Sequence, residues 1–98
     1  MAELDFEWDE RKNTANKRQH GVSFEEGKTV FLDENALLIN DPDHSMHEER
    51  FIMLGLSSAL RALVVCHCYR QAGDVIRLIS ARRANTLERE KYRTRRTQ

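Results

Sequence analysis

Polar and apolar residues follow a helical pattern near the start of the chain. Residues 10–20 are mostly polar helix formers, preceded by Asp9 as an N-cap residue and followed by Gly21 at a C′ position. The run Ser23-Phe24-Glu25-Glu26 has the form of a capping box. It predicts a second, short amphipathic helix that continues to about Asp33 or Glu34.

The pattern then changes to the period of extended chain. The predicted strands are residues 36–40, 50–56, 62–69 and 75–81, with turns at 41–45, 57–58 and 71–74. Asn85 and Glu88 offer another capping box, for a C-terminal helix that passes Tyr92 and frays in residues 94–96. Residues 5–8 alternate and are either a short edge strand or an aromatic lead-in.

Strands grouped apart from helices indicate an α+β fold. The expected order is two N-terminal helices, a four-stranded antiparallel sheet and a C-terminal helix, in one domain over residues 1–98. We expect the helices to cover one face of the sheet and to leave the other face, or one end of it, for function.

Composition narrows the protein class. The 40% apolar content of the 98 residues suits a modest single core and is too high for a disordered chain. We expect neither a transmembrane helix nor a signal peptide, because apolar runs are short and the first residues are acidic. Cys66 and Cys68 lie too close along one strand for an ordinary disulfide. Together these features predict a cytoplasmic protein with reduced thiols and no membrane association.

Charge is unevenly distributed although the chain is formally neutral, with 16 basic and 16 acidic residues. Residues 1–49 hold 5 basic and 13 acidic side chains, whereas residues 50–98 hold 11 basic and 3 acidic ones. Ten of those 11 cations are arginines, the side chain best suited to bidentate contact with phosphate. The second half therefore predicts an anionic partner.

Three arginines stand out in the last predicted strand. Arg77 lies between Ile76 and Leu78, and Arg82 and Arg83 lie where the strand runs into the last helix. They either bind phosphate or pair with nearby carboxylates. For Arg89, Arg93 and Arg96, which share one helical stripe, the alternative is an ordinary solvated face.

His67 and Tyr92 are the other candidates. In a regular hairpin His67 shares a face with Ser80 and Arg82, so an imidazole, a hydroxyl and a guanidinium would meet on one surface. His67 is alternatively a core histidine bonded to a backbone carbonyl. Tyr92 either packs the last helix on the sheet or stacks on a base.

A metal site is not expected. Cys66, His67 and Cys68, with His44 and His47, include the right ligand types. Their spacing is wrong for a zinc site, and successive strand residues face opposite sides of a sheet. We expect no metal and no cofactor.

Short motifs follow one another in order along almost the whole chain. They are Phe6-Glu7-Trp8-Asp9-Glu10, Lys12-Asn13 with Asn16, His20-Gly21-Val22-Ser23-Phe24-Glu25-Glu26, Val30-Phe31 with Asp33, Asp41-Pro42-Asp43-His44, Glu48-Glu49-Arg50, Ile76-Arg77-Leu78-Ile79-Ser80-Ala81-Arg82, and Glu88-Arg89 with Tyr92. In this order and spacing the chain resembles the BrnT family, small toxins of bacterial type II toxin–antitoxin pairs. One departure is Gln19, where the family usually has a lysine.

The resemblance implies a RelE-like α+β fold and metal-independent RNA cleavage that stops translation. It also implies a cognate antitoxin of the BrnA type, and binding to operator DNA only through the toxin–antitoxin complex. On this basis Arg82 and Arg77 are predicted to clamp phosphate, His67 to transfer a proton, and Tyr92 to stack or orient the RNA. The residues predicted to hold the RNA backbone are Arg50, Arg61, Arg70, Arg83 and Arg89.

Two alternatives stay open from the residues themselves. One is a non-catalytic nucleic-acid-binding module that uses the same arginines. The other is a protein-binding adaptor whose basic half binds an acidic segment.

Overall fold

A computed structural model describes residues 4–41 and 49–96 of the chain, except for the side chain of Arg96. The elements are β1 (Asp5–Glu7), α1 (Glu10–His20), α2 (Phe24–Lys28), a 3-10 helix (Thr29–Leu32), β2 (Leu37–Asp41), β3 (Arg50–Leu56), β4 (Ala62–Arg70), a 3-10 turn (Gln71–Gly73), β5 (Val75–Arg83) and α3 (Thr86–Arg96). Within these ranges, every helix is too short or too polar to span a lipid bilayer.

The predicted α+β class is confirmed, but the sheet has five strands in the order β1-β5-β4-β3-β2. Strands β2 to β5 form the predicted antiparallel meander, and β1 pairs with β5 in parallel. The prediction of a four-stranded, purely antiparallel sheet was therefore wrong. Phe6 lies opposite Ile76 and its ring packs edge-on against Phe31, a long-range contact that a three-residue pattern cannot reveal.

The predicted helix ends are largely confirmed. Asp9 accepts a hydrogen bond from the backbone N–H of Arg11, and Gly21 ends α1 in the left-handed conformation with φ of 69°. At α3, Asn85 and Glu88 form the reciprocal capping box. These local signals are read correctly because each bonds only to residues a few positions away.

The second helix differs from the prediction. The α-helix stops at Lys28 and continues as a 3-10 helix, so a single helix to Asp33 or Glu34 was wrong. Gly27 and the β-branched residues that follow it are weak helix formers. Gly27 has a packing role, because a Cβ there would lie 3.3 Å from the Cβ of Ala81 in β5.

Helices cover both faces of the sheet, so the expectation that they cover one face and leave the whole of the other free was wrong. Val22, Phe24 and Val30 pack against Leu63 and Val65, on what we call the α1–α2 face. On the opposite α3 face, Tyr92 packs with Leu54, Val64 and Ala84. The central strands carry apolar side chains on both faces of the sheet, so both faces must be shielded from water.

Helix α1 has no apolar stripe and is attached by two buried asparagines. The side chain of Asn16 accepts from the N–H of Ala81 at 3.2 Å and donates to its carbonyl at 2.7 Å. Asn13 accepts from the N–H of Phe24 at 2.8 Å. Asn16 thus pairs with the edge of β5 beyond the end of β1, which positions α1 against the sheet.

Candidate functional site

A pocket of about 340 Å³ lies on the α3 face, beside the part of the sheet that α3 covers. Strands β2 to β5 all contribute to it. Its lining residues are Asp41, Arg50, Ile52, Val64, Cys66, Ile79, Ser80 and Arg82. The pocket brings together two of the predicted arginines, Arg50 and Arg82.

A β-bulge in β5 shapes this pocket. Val64 pairs with Arg82 and Cys66 with Ser80, but His67 then pairs with Leu78, so Ile79 is an extra residue. Ile79 and Ser80 consequently both line the pocket. Bulges change the direction of side chains in this way.

The same bulge separates His67 from the residues predicted to share its face. Ser80 and Arg82 lie on the α3 face, whereas His67 and its partner Leu78 lie on the α1–α2 face. The predicted cluster of His67, Ser80 and Arg82 was therefore wrong. The prediction assumed strict alternation through residue 79, and one extra residue reverses it.

Arg82 is held in place by an acidic residue of α3. Its two terminal nitrogens donate to the two carboxylate oxygens of Glu88, both at 2.8 Å. These hydrogen bonds lower the pKa of Glu88 and raise the pKa of Arg82, so the pair stays charged. Glu88 also caps α3, which fixes the guanidinium at the edge of the pocket.

Arg50 contributes the second guanidinium, from the start of β3. It lies opposite Asp41 in the β2–β3 register. Its Nε is buried and has no hydrogen-bond partner among the described residues. A buried donor of this kind is costly unless an acceptor reaches it, so the pocket suits an anion.

Burial also raises the pKa of the neighbouring Cys66 thiol, which is neutral near pH 7.

Arg77 is on the α3 face but is engaged with β1. Its Nη1 donates to the carboxylate of Glu7 at 2.7 Å, and both side chains of this ion pair are partly exposed. The alternation that places Ile76 and Leu78 in the core directs Arg77 to the other side. Arg77 does not line the pocket.

His67 is fully buried in an aromatic cluster on the α1–α2 face. The rings of Phe31 and Tyr69 pack edge-on against the imidazole, with centroids 4.7 Å and 5.3 Å from its own. Its Nδ1 lies 3.1 Å from the carbonyl of Val65 and its Nε2 lies 3.3 Å from the Tyr69 hydroxyl. A carbonyl only accepts, so Nδ1 carries the proton and the neutral Nε2 accepts from Tyr69. Burial lowers the pKa of His67 and favours this neutral form.

Tyr92 is buried in the core under α3. Its hydroxyl donates to the Asp33 carboxylate at 2.6 Å, and the same oxygen accepts from the N–H of Leu56 at 2.8 Å. Asp33 thus connects α3 to β3. The structure places Tyr92 outside the pocket lining.

The other predicted RNA-binding arginines are dispersed. Arg61 binds both oxygens of Glu26, lowering its pKa, and donates to the Gly21 carbonyl. Arg83 pairs with Leu63 in the register and is exposed, and Arg89 donates to the Ala84 carbonyl at 2.8 Å. Arg70 is exposed at the end of β4.

Sequence reasoning missed two groups that the pocket brings together. Asp41 was assigned to a turn, and it is instead the last residue of β2. Cys66 was considered only as a thiol that could form a disulfide or bind a metal. Both depend on strand pairing across three strands, for which a single sequence gives no direct signal. The rest of the predicted turn and the histidines His44 and His47 lie outside the described residues.

Within the described ranges, no group of three or more His, Cys, Asp or Glu side chains is placed to hold a metal ion. Cys66 and Cys68 lie two residues apart on β4 and form no disulfide.

Comparison with known proteins gives two matches and one negative result. A family model described as "Ribonuclease toxin, BrnT, of type II toxin-antitoxin system" matches residues 8–88. The 1.1 Å crystal structure of the Brucella abortus ribonuclease toxin BrnT is similar in fold, with a TM-score of 0.64 and 21% identity. The alignment covers 86% of this chain and 100% of that chain. No match was found among curated proteins.

Proposed function

Because the chain belongs to the family of BrnT ribonuclease toxins of type II toxin–antitoxin systems, we propose that it cleaves RNA without a metal ion and so inhibits translation. The observation that supports this most directly is the pocket on the α3 face. It holds two guanidinium groups, and the buried Nε of Arg50 has no hydrogen-bond partner among the described residues.

The pocket supplies what phosphate cleavage needs. When a ribose 2′-OH attacks the adjacent phosphate, negative charge builds up on the phosphorane oxygens. Arg50 and Arg82 would bind these oxygens, and the Ser80 hydroxyl beside them would donate a further hydrogen bond. Arg77, on the same face, would contact the next phosphate once it releases Glu7.

Proton transfer needs a group that is a base near neutral pH. Of the described pocket residues, Asp41 fits, because a carboxylate oxygen can accept a proton, whereas burial raises the pKa of the Cys66 thiol and keeps its proton in place. We assign the 2′-OH proton to Asp41. As the bond from the 2′-oxygen to phosphorus forms, the P–O5′ bond breaks and leaves a 2′,3′-cyclic phosphate, and solvent water supplies the proton that the leaving 5′-oxygen takes up. His67 and Tyr92 are buried away from the pocket, and we propose that they support the fold rather than touch the RNA.

The RNA backbone beyond the pocket would follow exposed arginines. Arg70 and Arg89 lie at the end of β4 and in the first turns of α3. Arg83 and Arg61 are on the α1–α2 side, where Glu26 neutralises Arg61. Contacts with phosphates at these positions would add affinity without sequence preference.

A type II toxin has a protein antitoxin as its partner. We propose that this antitoxin is of the BrnA type, that operator DNA is bound only through the complex, and that the toxin acts in the cytoplasm.

Digestion of RNA by the purified protein in the presence of EDTA tests the proposal. We expect the wild type to cut with EDTA present, because the pocket arginines replace a metal ion. Arg50→Gln should lower the rate by at least about a hundredfold, a loss typical of one oxyanion-stabilising group. Arg18→Gln, on the exposed surface of α1, is the matched control and should cut at the wild-type rate.

Arg82 needs a paired design because Glu88 would be left alone in a single variant. In Arg82→Gln combined with Glu88→Gln, both charges are removed and the cap of α3 is retained. This double variant should bind and cut RNA weakly while keeping the wild-type circular dichroism spectrum. Intact RNA with a strong, salt-dependent gel shift would instead indicate a non-catalytic nucleic-acid-binding protein.

A further inference from the structure

Strand β2 forms an edge of the sheet that could pair with another chain. It has β3 on one side and is the last strand in the order of the described sheet. Leu38 and Ile39 are 54% and 41% exposed. Natural edge strands usually carry charges, proline or a bulge that prevent further pairing. The first four residues of β2, Leu37-Leu38-Ile39-Asn40, carry none of these.

The opposite edge of the sheet is different. Strand β1 has only three residues, and two of them, Asp5 and Glu7, are acidic. A short charged strand is poorly suited to pairing. Of the two edges, β2 is therefore the one suited to accept a further strand.

A groove of about 430 Å³ lies between β2 and α3. Leu37 forms its sheet side, and Leu87, which is 69% exposed, forms its helix side. Lys91 and Arg95 from α3 also line it. The remaining charged residue, Glu90, is engaged by Arg93 at 2.6 Å, so the groove is apolar with a basic rim.

Strand β2 also connects this groove with the candidate active site. Leu37, its first residue, lines the groove, and Asp41, its last residue, lines the pocket that contains Arg50 and Arg82. Four strand steps separate the two residues, about 13 Å at the rise of an extended chain. A segment paired along β2 would therefore run from the groove to the rim of the pocket.

We propose that β2 is the docking site of the antitoxin, which adds an extended segment as a further strand of the sheet. Apolar side chains of this segment cover Ile39 and Leu87, and acidic side chains meet Lys91 and Arg95. Its other end lies at the rim of the Arg50 pocket, where it blocks the approach of RNA. The proposal rests on the proposed function for the existence of the antitoxin and the role of the pocket.

Protein fits this surface better than RNA does. An RNA strand is bound through its phosphates, and its path needs cations along its whole length. Residues 37–40 offer exposed apolar side chains instead, and on the side away from β3 their backbone groups have no partner strand in the described sheet. Strand addition uses both, through main-chain hydrogen bonds and alternate side chains.

The test measures binding of the purified product of the adjacent antitoxin gene to the whole toxin by biolayer interferometry. Leu38→Glu places a charge on the edge strand, and Lys91→Glu with Arg95→Glu reverses the rim of the groove. Each should weaken binding by about tenfold or more. Neither change touches the pocket, so RNA cleavage by the free toxin should stay at the wild-type rate.

Two controls carry the same chemical changes elsewhere. Leu32→Glu replaces a leucine that is 78% exposed on the 3-10 helix. Lys12→Glu with Arg18→Glu makes the same charge reversal on exposed positions of α1. Both controls should bind the antitoxin with wild-type affinity.

Hydrogen exchange distinguishes strand addition from other modes of docking. In the wild-type complex the backbone amides of residues 37–41 should exchange more slowly than in the free toxin, because some of them gain partners. Unchanged exchange there, or wild-type affinity in both β2 and groove variants, would overturn the proposal. Loss of RNA cleavage in these variants with full antitoxin affinity would assign the surface to RNA and overturn it too.

Failure of the proposed function has a different signature. If the antitoxin protects β2 but the toxin leaves RNA intact, the docking site stands and the nuclease proposal fails. If the toxin cuts RNA but the adjacent gene product does not bind it, the antitoxin assignment and this docking site both fail.

Discussion

Replacing His67 by phenylalanine tests whether this ring supports the fold or acts on RNA. Phenylalanine has a similar shape and can keep the edge-on contacts with Phe31 and Tyr69. It has neither the proton on Nδ1 nor the lone pair on Nε2. The variant therefore removes the titrating group while leaving the aromatic cluster in place.

The size of the effect follows from proton linkage. Burial lowers the pKa of His67 in the folded protein, whereas the unfolded chain has a pKa near 6.5. Below that value the unfolded state binds more protons, so stability is present above about pH 6.5 and is lost as the pH falls. While the folded ring stays neutral, the loss between pH 7.0 and 5.5 is at most about 1.3 kcal/mol. This corresponds to a melting temperature lower by roughly 5–10 °C for a domain of this size.

Three glutamates with a lowered pKa affect stability in a separate, lower pH range. Hydrogen bonds lower the pKa of Glu25, Glu26 and Glu88 below 4.5. Their stabilisation is present above about pH 4.5 and is lost as the pH falls below it. The interval from pH 7.0 to 5.5 therefore lies above the range in which these three carboxylates change stability.

The assay is urea denaturation of the wild type and of His67→Phe at pH 7.0 and pH 5.5. His20→Gln, at the end of α1, serves as a control that also removes one histidine. We expect the wild type and His20→Gln to lose stability on acidification and His67→Phe to lose much less. RNA cleavage by His67→Phe, measured at pH 7.0, should be retained.

Two results would refute this reasoning. An equal loss of stability in the wild type and in His67→Phe would show that the buried ring is not the titrating group. Loss of cleavage in a stably folded His67→Phe would show that the imidazole acts on RNA, as the sequence alone suggested.

Three further substitutions test the contacts that hold the fold. Tyr92→Phe removes the hydrogen bond to Asp33 and should lower the free energy of unfolding, measured by urea denaturation, by about 1.5–3 kcal/mol. RNA cleavage per folded molecule should be unchanged, so full stability with lost activity would contradict the structural role. Asn16→Ala leaves the N–H and carbonyl of Ala81 without partners and should cost about 2–4 kcal/mol, so a change below about 0.5 kcal/mol would argue against this attachment of α1. Gly21→Ala should cost about 1–2 kcal/mol from the backbone alone, because φ is 69° and, apart from the chain neighbours of Gly21, no atom of the described residues lies within 4 Å of the added Cβ. Calorimetry that shows no loss would contradict this.

Much of the local structure could be predicted from the sequence. Strand β3 has the predicted bounds of residues 50–56, and β4 and β5 begin at the predicted residues 62 and 75. Each of these elements is specified by its own periodicity and by turn residues next to it. The ordered motifs also indicated a resemblance to the BrnT family, which the match over residues 8–88 confirms.

The composition of the candidate site was only partly predictable. Arg50 and Arg82 were both selected for their chemistry, and the structure brings them to one pocket. His67 was selected for its pKa and for a face shared with Ser80 and Arg82, but the bulge at Ile79 places those two residues on the opposite face of the sheet. A bulge adds one residue to one strand, and its position depends on how two distant strands pair.

By itself the sequence determined α1 and α3 with their caps, the antiparallel meander and the basic second half, because each of these depends on residues close together in the chain. The tertiary structure alone decided that β1 joins β5, that α3 covers the second face, and which arginines have carboxylate partners. Those outcomes depend on contacts between residues far apart in sequence, such as Arg77 with Glu7 or Tyr92 with Asp33. A side chain's chemistry is visible in the sequence, but the face it occupies and the partner it binds are set by strand register and packing.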